Sequence, residues 1–315
     1  MACGYHGLSG GSIAMANTAS LLSNVYQIAF YTYLTSNLNQ LISSKVMLVR
    51  SLVSEADVYL LDVTYDKRRL AGFKKQHSKI IVCCHGLPKA SHGLSPDYVQ
   101  QSLDSAEKVV FVSSYQARSF NLDSKKYTII PNSTPRIRKS RKTYNVGALG
   151  SLDSPRKGAE KTVTVGLKSN AEAVHLWGVQ NISFAHPRVI THSWESSKEL
   201  IYNSFDVLVF FSLEETFGMV VIEAMSAGIP CVLSSIEPFQ DFASCPGIFL
   251  VENSELDRAH EIVNFLLDKK EDYQQDMIKY YQENFSPDAV LEKWKDLISE
   301  VYYSRWSNVS RAGNH

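Results

Sequence analysis

The chain has 315 residues, of which 44% are hydrophobic and 20% charged, so it is long enough for two globular domains and is not a low-complexity chain. Its apolar stretches fall short of the roughly 20 residues of a membrane-spanning helix, no cationic start marks a signal peptide, and five cysteines without metal-ligand spacing indicate a reducing environment, which together predict a cytoplasmic protein. The formal net charge is zero, yet residues 1–145 hold 18 Lys and Arg against 8 Asp and Glu, which predicts different roles for the two halves.

The first half alternates short apolar, β-branched runs with amphipathic stretches, a pattern typical of an α/β domain with a parallel sheet. The predicted strands are YQIAFYTYL (26–34), ADVYLLDV (56–63), KIIVCCHG (79–86), KVVFVSS (108–114) and YTIIPNS (127–133). A helix is predicted over residues 95–106, where Ser95 can cap it and Pro96 suits its first position. The charged segment 134–144 is the predicted linker, and we therefore expect the first domain to span residues 1–140.

The second half, residues 141–315, restarts the alternation and predicts a second α/β domain. Its predicted strands are YNVGALG (144–150), AEAVHLWGV (171–179), DVLVFFS (206–212) and IPCVLSS (229–235). Its predicted helices are RKGAEKTVTVGLKS (156–169), SSKELIYNSF (196–205), TFGMVVIEAMSAG (216–228) and a nearly continuous helical region from Ser254 to about Arg305. The last helix carries an apolar stripe formed by Val290, Leu291, Trp294, Leu297 and Val301. Open α/β sheets bind ligands beyond the carboxyl ends of their strands, so we expect the functional residues there.

The most informative segment is FDVLVFFSLEETFGMVVIEAMSAGIPCVLSS, residues 205–235. A buried strand leads into a loop with two glutamates and then into a helix predicted to begin near Thr216. Glu215 and Glu223 are eight residues apart, which leaves them only about 80° apart around a helix axis, so both can face one ligand. The amides at the helix start, with the positive end of the helix dipole, predict a diphosphate site, and Gly218 is expected to let the ligand approach closely. The residues of this predicted site are Thr216, Phe217, Gly218, Met219 and Val220.

This segment resembles the paired-glutamate motif of retaining glycosyltransferase family 4, S-x-x-E-x-F-G followed by E-A-M-A-x-G-x-P. The matching residues are Ser212, Glu215, Phe217, Gly218, Glu223, Ala224, Met225, Gly228 and Pro230. The resemblance implies the GT-B fold, in which two Rossmann-like domains face each other across a cleft and the C-terminal helices pack back toward the first domain. It also implies that Glu215 contacts the donor sugar, that Glu223 holds the ribose hydroxyls, and that the sugar is transferred with retention of anomeric configuration.

Two cations are expected in the loop that opens the second domain, GALGSLDSPRKG (147–158). This loop is similar to the family's loop, which ends in Lys-Gly before a helix. The resemblance implies that Lys157 neutralises the donor diphosphate and that Arg156 adds a second positive charge. The family's arginine after the strand glycine is replaced here by Ala148, so half of the usual cationic clamp is missing or displaced onto Arg156.

Two segments of the first half also resemble the family. LSGGSIAMANTASLLS (8–23) is similar to the glycine-rich loop and helix of its first domain, where Gly10, Gly11 and Ser12 would leave room for the donor phosphate and the acceptor. Because only nine residues precede Gly10, we expect either that the strand before this loop is degenerate or that the first domain has been trimmed. In VCCHGLPK (82–89), His85 ends a buried strand, and the resemblance implies that it contacts the donor sugar.

The resemblance implies a hexosyltransferase that uses a nucleotide-diphosphate sugar, with UDP in first place and GDP as the alternative, and a glycan, lipid-linked or small-molecule acceptor. We expect no cofactor and no metal ion, because metal-ligand spacings are missing from the sequence, and no nucleic-acid partner. The basic first half predicts peripheral contact with an anionic membrane or acceptor. Two alternatives stay open: a GT-B epimerase acting on a nucleotide sugar, and a non-catalytic partner subunit of the same fold.

Overall fold

The computed structural model describes residues 1–3, 10–32, 42–49, 51, 56–64, 79–88 and 95–309. The chain divides into two compact units. Unit 1 comprises Met1–Asn132 and Pro287–His315, and unit 2 comprises Ser133–Ser286. None of the helices in the described ranges combines the length and the apolar character needed to cross a membrane.

The secondary structure of the described ranges alternates strands and helices through most of the chain. The strands are β1 (Ala2–Cys3), β2 (Ala29–Thr32), β3 (Met47–Val49), β4 (Val58–Asp62), β5 (Lys79–Cys84), β6 (Lys108–Phe111), β7 (Tyr127–Ile129), β8 (Val146–Leu149), β9 (Val174–Trp177), β10 (Val189–His192), β11 (Val207–Phe210), β12 (Cys231–Ser234) and β13 (Ile248–Val251). The helices are α1 (Gly10–Leu22), α2 (Pro96–Ser105), α3 (Ser114–Phe120), α4 (Ala159–Lys168), α5 (Lys198–Tyr202), α6 (Met219–Ala227), α7 (Glu237–Gln240), α8 (Leu256–Asn284) and α9 (Pro287–Val309), with a 3-10 turn at Pro155–Lys157.

Unit 1 is built on a parallel sheet with the strand order β3-β2-β1-β4-β5-β6-β7. β1 is only two residues long, yet it pairs with both β2 and β4, so the strand before the glycine-rich loop is present in a short form. The apolar stripe of α9 is buried in the core of this unit, beside Met15 and Phe30. Of that stripe, Trp294 and Leu297 each retain only 4% of their accessible surface. The C-terminal helix therefore belongs to unit 1, because its apolar face is buried there.

Unit 2 is built on a second parallel sheet with the strand order β10-β9-β8-β11-β12-β13. The predicted linker is fixed to this unit by polar contacts. Lys139 Nζ lies 2.8 Å from Oδ1 of the buried Asp206, and Lys270 Nζ lies 2.5 Å from its Oδ2. The Tyr281 hydroxyl donates to the carbonyl oxygen of Thr134 at 2.6 Å. These contacts explain why unit 2 begins at Ser133 instead of after the linker.

The boundaries of the units and of two helices differ from the sequence predictions. Unit 2 starts eight residues before the expected position 141, and residues 287–315, expected in the second domain, complete unit 1. The helix expected from residue 156 begins at Ala159, after the 3-10 turn, and the helix expected near Thr216 begins at Met219. In both places a glycine in a left-handed conformation immediately precedes the helix, and it sets the position of the first helical turn.

Candidate functional site

The predicted site segment forms the turn between β11 and α6, at the carboxyl end of the unit 2 sheet. Gly218 caps α6 with a φ of 112°, a conformation that residues with a side chain rarely adopt. A Cβ atom at this position would also lie 2.9 Å from the ring of Phe239. Backbone conformation and packing therefore require this glycine, whereas the sequence had suggested close approach of a ligand. Phe217 points into the core, where its ring packs against Phe242 and Phe285.

The first turn of α6 offers backbone donors at the edge of the sheet. The amides at the start of an α-helix have no partner four residues earlier in the same helix, and the helix dipole adds partial positive charge there. In α6 the amide of Val221 donates to the Gly218 carbonyl at 3.0 Å, which tightens the first turn. Met219 and Val220 are the first two helical residues. Of the predicted donors, Thr216 and Phe217 lie before the helix, so Met219 and Val220 are the ones in its first turn.

The loop after β8 that carries Arg156 and Lys157, called the cationic loop here, is held against the end of β11 by a second glycine. Gly158 has a φ of 64°, and a Cβ atom there would lie 2.0 Å from the carbonyl oxygen of Phe211. Any larger residue would push the two segments apart, so the glycine of the Lys-Gly pair is a steric requirement of this contact. The amide of Leu213 also donates to the carbonyl oxygen of Arg156 at 2.7 Å. The cationic loop is thus joined through its backbone to the loop after β11 that carries Glu214 and Glu215.

Two ion pairs connect these loops. Lys157 Nζ lies 2.6 Å from Glu215 Oε1, and the two side chains are largely shielded, with 24% and 14% of their surface exposed. Arg156 lies 2.9 Å from Glu214 Oε2, and both of these side chains are exposed to solvent. Lys157 and Glu215 were predicted as site residues and are brought together here. The pairing of Arg156 with Glu214 was not predicted.

The position at which the resemblance implies an arginine is occupied in this chain by a buried alanine. Ala148 is fully buried within β8. The positive charges near the carboxyl end of β8 come instead from the 3-10 turn, through Arg156 and Lys157. Displacement of the cation onto Arg156 stays a prediction, and the described contacts of its guanidinium include Glu214.

Glu223 is buried on α6 and its charge is compensated by two neighbours on α5. Only 5% of the residue is exposed. The Tyr202 hydroxyl donates to Glu223 Oε2 at 2.8 Å, and Lys198 Nζ lies 3.0 Å from the same oxygen. Burial, together with the negative charge of Glu223, raises the pKa of Tyr202, so its hydroxyl stays protonated and can donate. Lys198 and Tyr202 were missed from sequence; their four-residue spacing places them on one helix face but does not show which element that face meets.

In unit 1, His85 directly follows β5 and lies beside an acid at the end of β4. Its Nδ1 is 3.5 Å from Asp62 Oδ2, and the side chains are 7% and 0% exposed. The amide of Thr64 donates to the other carboxylate oxygen of Asp62 at 2.9 Å. Asp62 was not among the site residues predicted from the sequence. Its neighbour could be found only from the pairing of β4 with β5.

The predicted glycine-rich site begins the first helix of unit 1. Gly10 and Gly11 are the first two residues of α1, and Gly10 is exposed, with no other atom of the described residues within 4 Å of the place that a Cβ atom would occupy. Ser12 is fully buried. Residues 4–9, which precede them, lie outside the described ranges. Packing against the described residues does not require a glycine at position 10, and the expected role of Gly10 beside a phosphate stays a prediction.

A protein-family model matches the part of unit 2 that contains α5 and α6. The family model described as Glycosyl transferases group 1 matches residues 183–284, about a third of the chain. This range contains Lys198, Glu215 and Glu223. No curated protein matches the sequence.

Solved structures of low sequence identity share the fold over nearly the whole chain. HepE of Anabaena in complex with UDP is 13% identical, with a TM-score of 0.77 over 95% of this chain and 98% of that chain. Sucrose-phosphate synthase from Thermosynechococcus elongatus is 13% identical, with a TM-score of 0.70 over 94% of each chain. The lipopolysaccharide outer core galactosyltransferase WaaB is 16% identical, with a TM-score of 0.67 over 97% of this chain and 100% of that chain. The GT-B fold class is confirmed, and with the family model so is the prediction of a glycosyltransferase.

Proposed function

We propose that the protein is a retaining, family 4-type hexosyltransferase that transfers the sugar of a UDP-sugar donor to a glycan, lipid-linked or small-molecule acceptor. One observation carries this proposal. Adjoining segments of unit 2, at the carboxyl ends of β8 and β11, carry three features together. They are the start of α6, the shielded pair of Lys157 and Glu215, and the buried Glu223. A diphosphate needs amide donors and a cation, and a ribose needs a carboxylate acceptor, so this set matches the parts of a nucleotide sugar.

In the proposed complex, the amides of Met219 and Val220 and the ammonium group of Lys157 bind the diphosphate, and Glu223 accepts from the ribose. Glu215 then exchanges its contact with Lys157 for hydroxyls of the sugar. In the proposed complex, contacts of Lys157 with the diphosphate and of Glu215 with the sugar replace the ion pair that these two side chains form at 2.6 Å. The implied contact of His85 with the sugar and the charge of Arg156 stay predictions.

The proposed reaction forms a bond from the acceptor oxygen to C1 of the sugar and breaks the bond from C1 to the β-phosphate oxygen. Both events take place on one face of the sugar, and the acceptor proton passes to the leaving phosphate. Negative charge therefore builds on the β-phosphate in the transition state. Fixed donors and cations aimed at that charge provide the main electrostatic stabilisation. In the proposed site, Lys157 supplies the cation, and its contact with Glu215 at 2.6 Å supports this assignment.

UDP is the proposed nucleotide because HepE has been solved with UDP, with UDP-glucose, and with UDP and glucose. We expect UDP to raise the melting temperature of the protein by several degrees, since a ligand at about 100 times its Kd adds about 2.7 kcal/mol to the stability of the native state. GDP, ADP and CMP at the same concentration are expected to give smaller shifts. The measurement is a thermal-shift series with these four nucleotides.

The same series in EDTA tests the proposed metal-free site. In the described ranges, no group of three or more His, Cys, Asp and Glu is placed to hold a metal ion. We expect the UDP shift to persist in EDTA, because Lys157 and the helix amides would supply the positive charge. A shift that disappears in EDTA and returns with Mg²⁺ would contradict a metal-free site. A larger shift with GDP would contradict the choice of UDP.

The comparisons favour neither an epimerase nor a non-catalytic partner subunit. Incubation of the UDP sugar without an acceptor distinguishes an epimerase from a transferase. An epimerase would convert the UDP sugar into its epimer, whereas a transferase would only hydrolyse it slowly. Nucleotide binding without transfer to any member of an acceptor panel would favour the second. Cytoplasmic location remains part of the proposal.

Contact of unit 1 with an anionic membrane is a second part of the proposal. With the observed boundaries, unit 1 holds 17 Lys and Arg against 12 Asp and Glu, so its excess is smaller than that of residues 1–145. The basic segment 136–142 belongs to unit 2, where Lys139 and Lys142 pair with acids. The remaining basic cluster lies outside the described ranges and consists of Lys67, Arg68, Arg69, Lys74 and Lys75.

We expect the protein to sediment with anionic vesicles at low salt and to be released at high salt. Each basic side chain near such a surface contributes about 1 kcal/mol, and salt screens that attraction over about 8–10 Å. The measurement is sedimentation with anionic and neutral vesicles at two salt concentrations. Equal pelleting with both vesicle types at low salt would contradict membrane contact and favour a soluble acceptor.

A further inference from the structure

Asp62 and His85 lie at the ends of two adjacent strands in the middle of the unit 1 sheet. β4 ends at Asp62, β5 pairs with it in parallel, and His85 directly follows β5. The strand order β3-β2-β1-β4 changes direction between β1 and β4, so Asp62 ends a strand at the topological switch point. Open α/β sheets bind ligands beyond the carboxyl ends of their strands at such a point. The two side chains therefore lie where unit 1 is expected to meet a ligand.

The two oxygens of the Asp62 carboxylate have different neighbours. The amide and the hydroxyl of Thr64 both donate to Oδ1, the amide at 2.9 Å. Oδ2 lies 3.5 Å from His85 Nδ1, and within the described part of the chain neither of these two buried atoms has a hydrogen-bond partner. A carboxylate oxygen can only accept, so the two atoms satisfy each other only when the nitrogen carries a proton. Asp62 therefore favours a proton on Nδ1 of His85.

The backbone beside His85 is fixed independently of Asp62. The buried side chain of Gln116 donates from Nε2 to the carbonyl oxygen of Gly86 at 2.9 Å, and its Oε1 accepts from the amide of Val112 at 2.8 Å. These bonds hold the residue that follows His85 and leave the imidazole ring to Asp62. A shift of about 0.5 Å brings Nδ1 and Oδ2 within hydrogen-bond distance. With Nδ1 directed at Asp62, Nε2 is the ring nitrogen left for a ligand.

The charge of this pair limits the ligand group that it can take. A neutral imidazole beside the carboxylate leaves the pair with one negative charge, and an imidazolium leaves it with none, so in neither state is the pair positive. Of the Lys and Arg side chains in the described ranges, none pairs with Asp62. An uncharged hydroxyl suits Nε2 in both states, because a hydroxyl donates and accepts. A carboxylate would instead approach the charge of Asp62 without a compensating cation, which is unfavourable.

We propose that Asp62, acting through His85, selects a sugar that presents an uncharged hydroxyl to Nε2 over one that presents a carboxylate. This inference rests on the proposed function, in which His85 contacts the donor sugar. It narrows the donor class to neutral sugars and excludes uronates. Asp62 is a positioning residue, since it holds the Nδ1 proton and its charge acts on the sugar from behind the imidazole ring.

Nitrogen NMR of the whole chain with ¹⁵N-labelled histidine tests the position of the proton. The chain has nine histidines, and the signals that disappear in His85→Gln belong to His85. We expect Nδ1 to be protonated in the wild type at neutral pH. In Asp62→Asn the amide oxygen keeps the two Thr64 donors and the NH₂ group faces Nδ1, so the proton is expected on Nε2. A wild-type Nδ1 without a proton would overturn the inference.

The Kd values of UDP-glucose and UDP-glucuronate, measured by calorimetry, test the selection of the sugar. These two donors differ only at C6, which carries a hydroxyl in the first and a carboxylate in the second. For the wild type, we expect UDP-glucuronate to bind about tenfold or more weaker than UDP-glucose. In Asp62→Asn the negative charge is removed and Nε2 can donate, so the ratio is expected to fall below about threefold. Asp57→Asn is the matched control, since it makes the same change at an exposed position just before β4, and its ratio is expected to equal that of the wild type.

The outcomes separate this inference from the proposed function. A wild-type ratio below about threefold, or a ratio that Asp62→Asn leaves unchanged, would overturn the inference while leaving the proposed function standing. Failure of the wild type to bind UDP, GDP or either UDP sugar would overturn the proposed function and this inference together. Each ratio is taken within one protein, so a modest loss of stability does not affect it. If Asp62→Asn does not fold, the wild-type spectrum and the wild-type ratio still decide.

Discussion

Replacement of Lys157 by alanine is expected to lower kcat by about 100- to 1,000-fold, the loss typical of removing one fixed group that stabilises transition-state charge. Lys157 is held in place because Gly158 packs directly on the Phe211 carbonyl and because its ammonium group contacts Glu215 at 2.6 Å. The charge on the leaving phosphate is greatest in the transition state, so the loss should appear in kcat more than in KM. Initial-rate kinetics over a range of donor concentrations measure both constants.

Lys161→Ala is the control for this experiment. Lys161 lies one turn further along, on α4, and its ammonium group donates to Asn253 at 2.8 Å. We expect kcat and KM of this variant to stay close to those of the wild type. A Lys157→Ala enzyme with normal kcat and a raised KM would show that Lys157 binds the ground state, and the proposed role in leaving-group stabilisation would then be wrong.

Replacement of Glu223 by glutamine is expected to weaken UDP binding by roughly 10- to 150-fold, which corresponds to about 1.5–3 kcal/mol for a hydrogen bond to a charged group. The neutral amide is a weaker acceptor for a ribose hydroxyl. Its NH₂ group cannot accept from Tyr202 or Lys198, so the arrangement of the side chain also changes. Calorimetric titration with UDP measures the effect directly.

The matched control is Glu261→Gln, which makes the same chemical change at an exposed position of α8. Its affinity for UDP is expected to equal that of the wild type. Unchanged UDP affinity in Glu223→Gln would remove Glu223 from the ribose site. A melting temperature measured without nucleotide separates loss of binding from loss of folding.

The central strands and the site helix were predictable because their signals are local. β11 and β12 are buried on both faces, so their sequences are continuous apolar runs. The missed strands β3, β10 and β13 lie at sheet edges, where their side chains are mostly half-buried or exposed. An edge strand of this kind lacks the apolar run by which a buried parallel strand is recognised.

Only those site residues that lie within one continuous sequence motif were predictable. The glutamates, Lys157 and the helix start lie within two continuous motifs. The contacts of Lys198 with Glu223 and of Asp62 with His85 join residues more than 20 positions apart, and no local pattern encodes them. His175 and His192 illustrate the same limit, because they meet at 2.9 Å only through the pairing of β9 with the unpredicted β10.

The assignment of α9 to unit 1 has a consequence for the order in which the chain folds during synthesis. Domains usually fold as they emerge from the ribosome, the N-terminal one first. Here unit 2 is a continuous stretch that is complete at Ser286, whereas unit 1 waits for its last helix. That helix brings Val290, Trp294, Leu297 and Val301, each at most 4% exposed, into the core of unit 1. The unit that begins first is therefore the last to close, and a chain stopped after Ser286 would contain a whole second unit beside an unfinished first one.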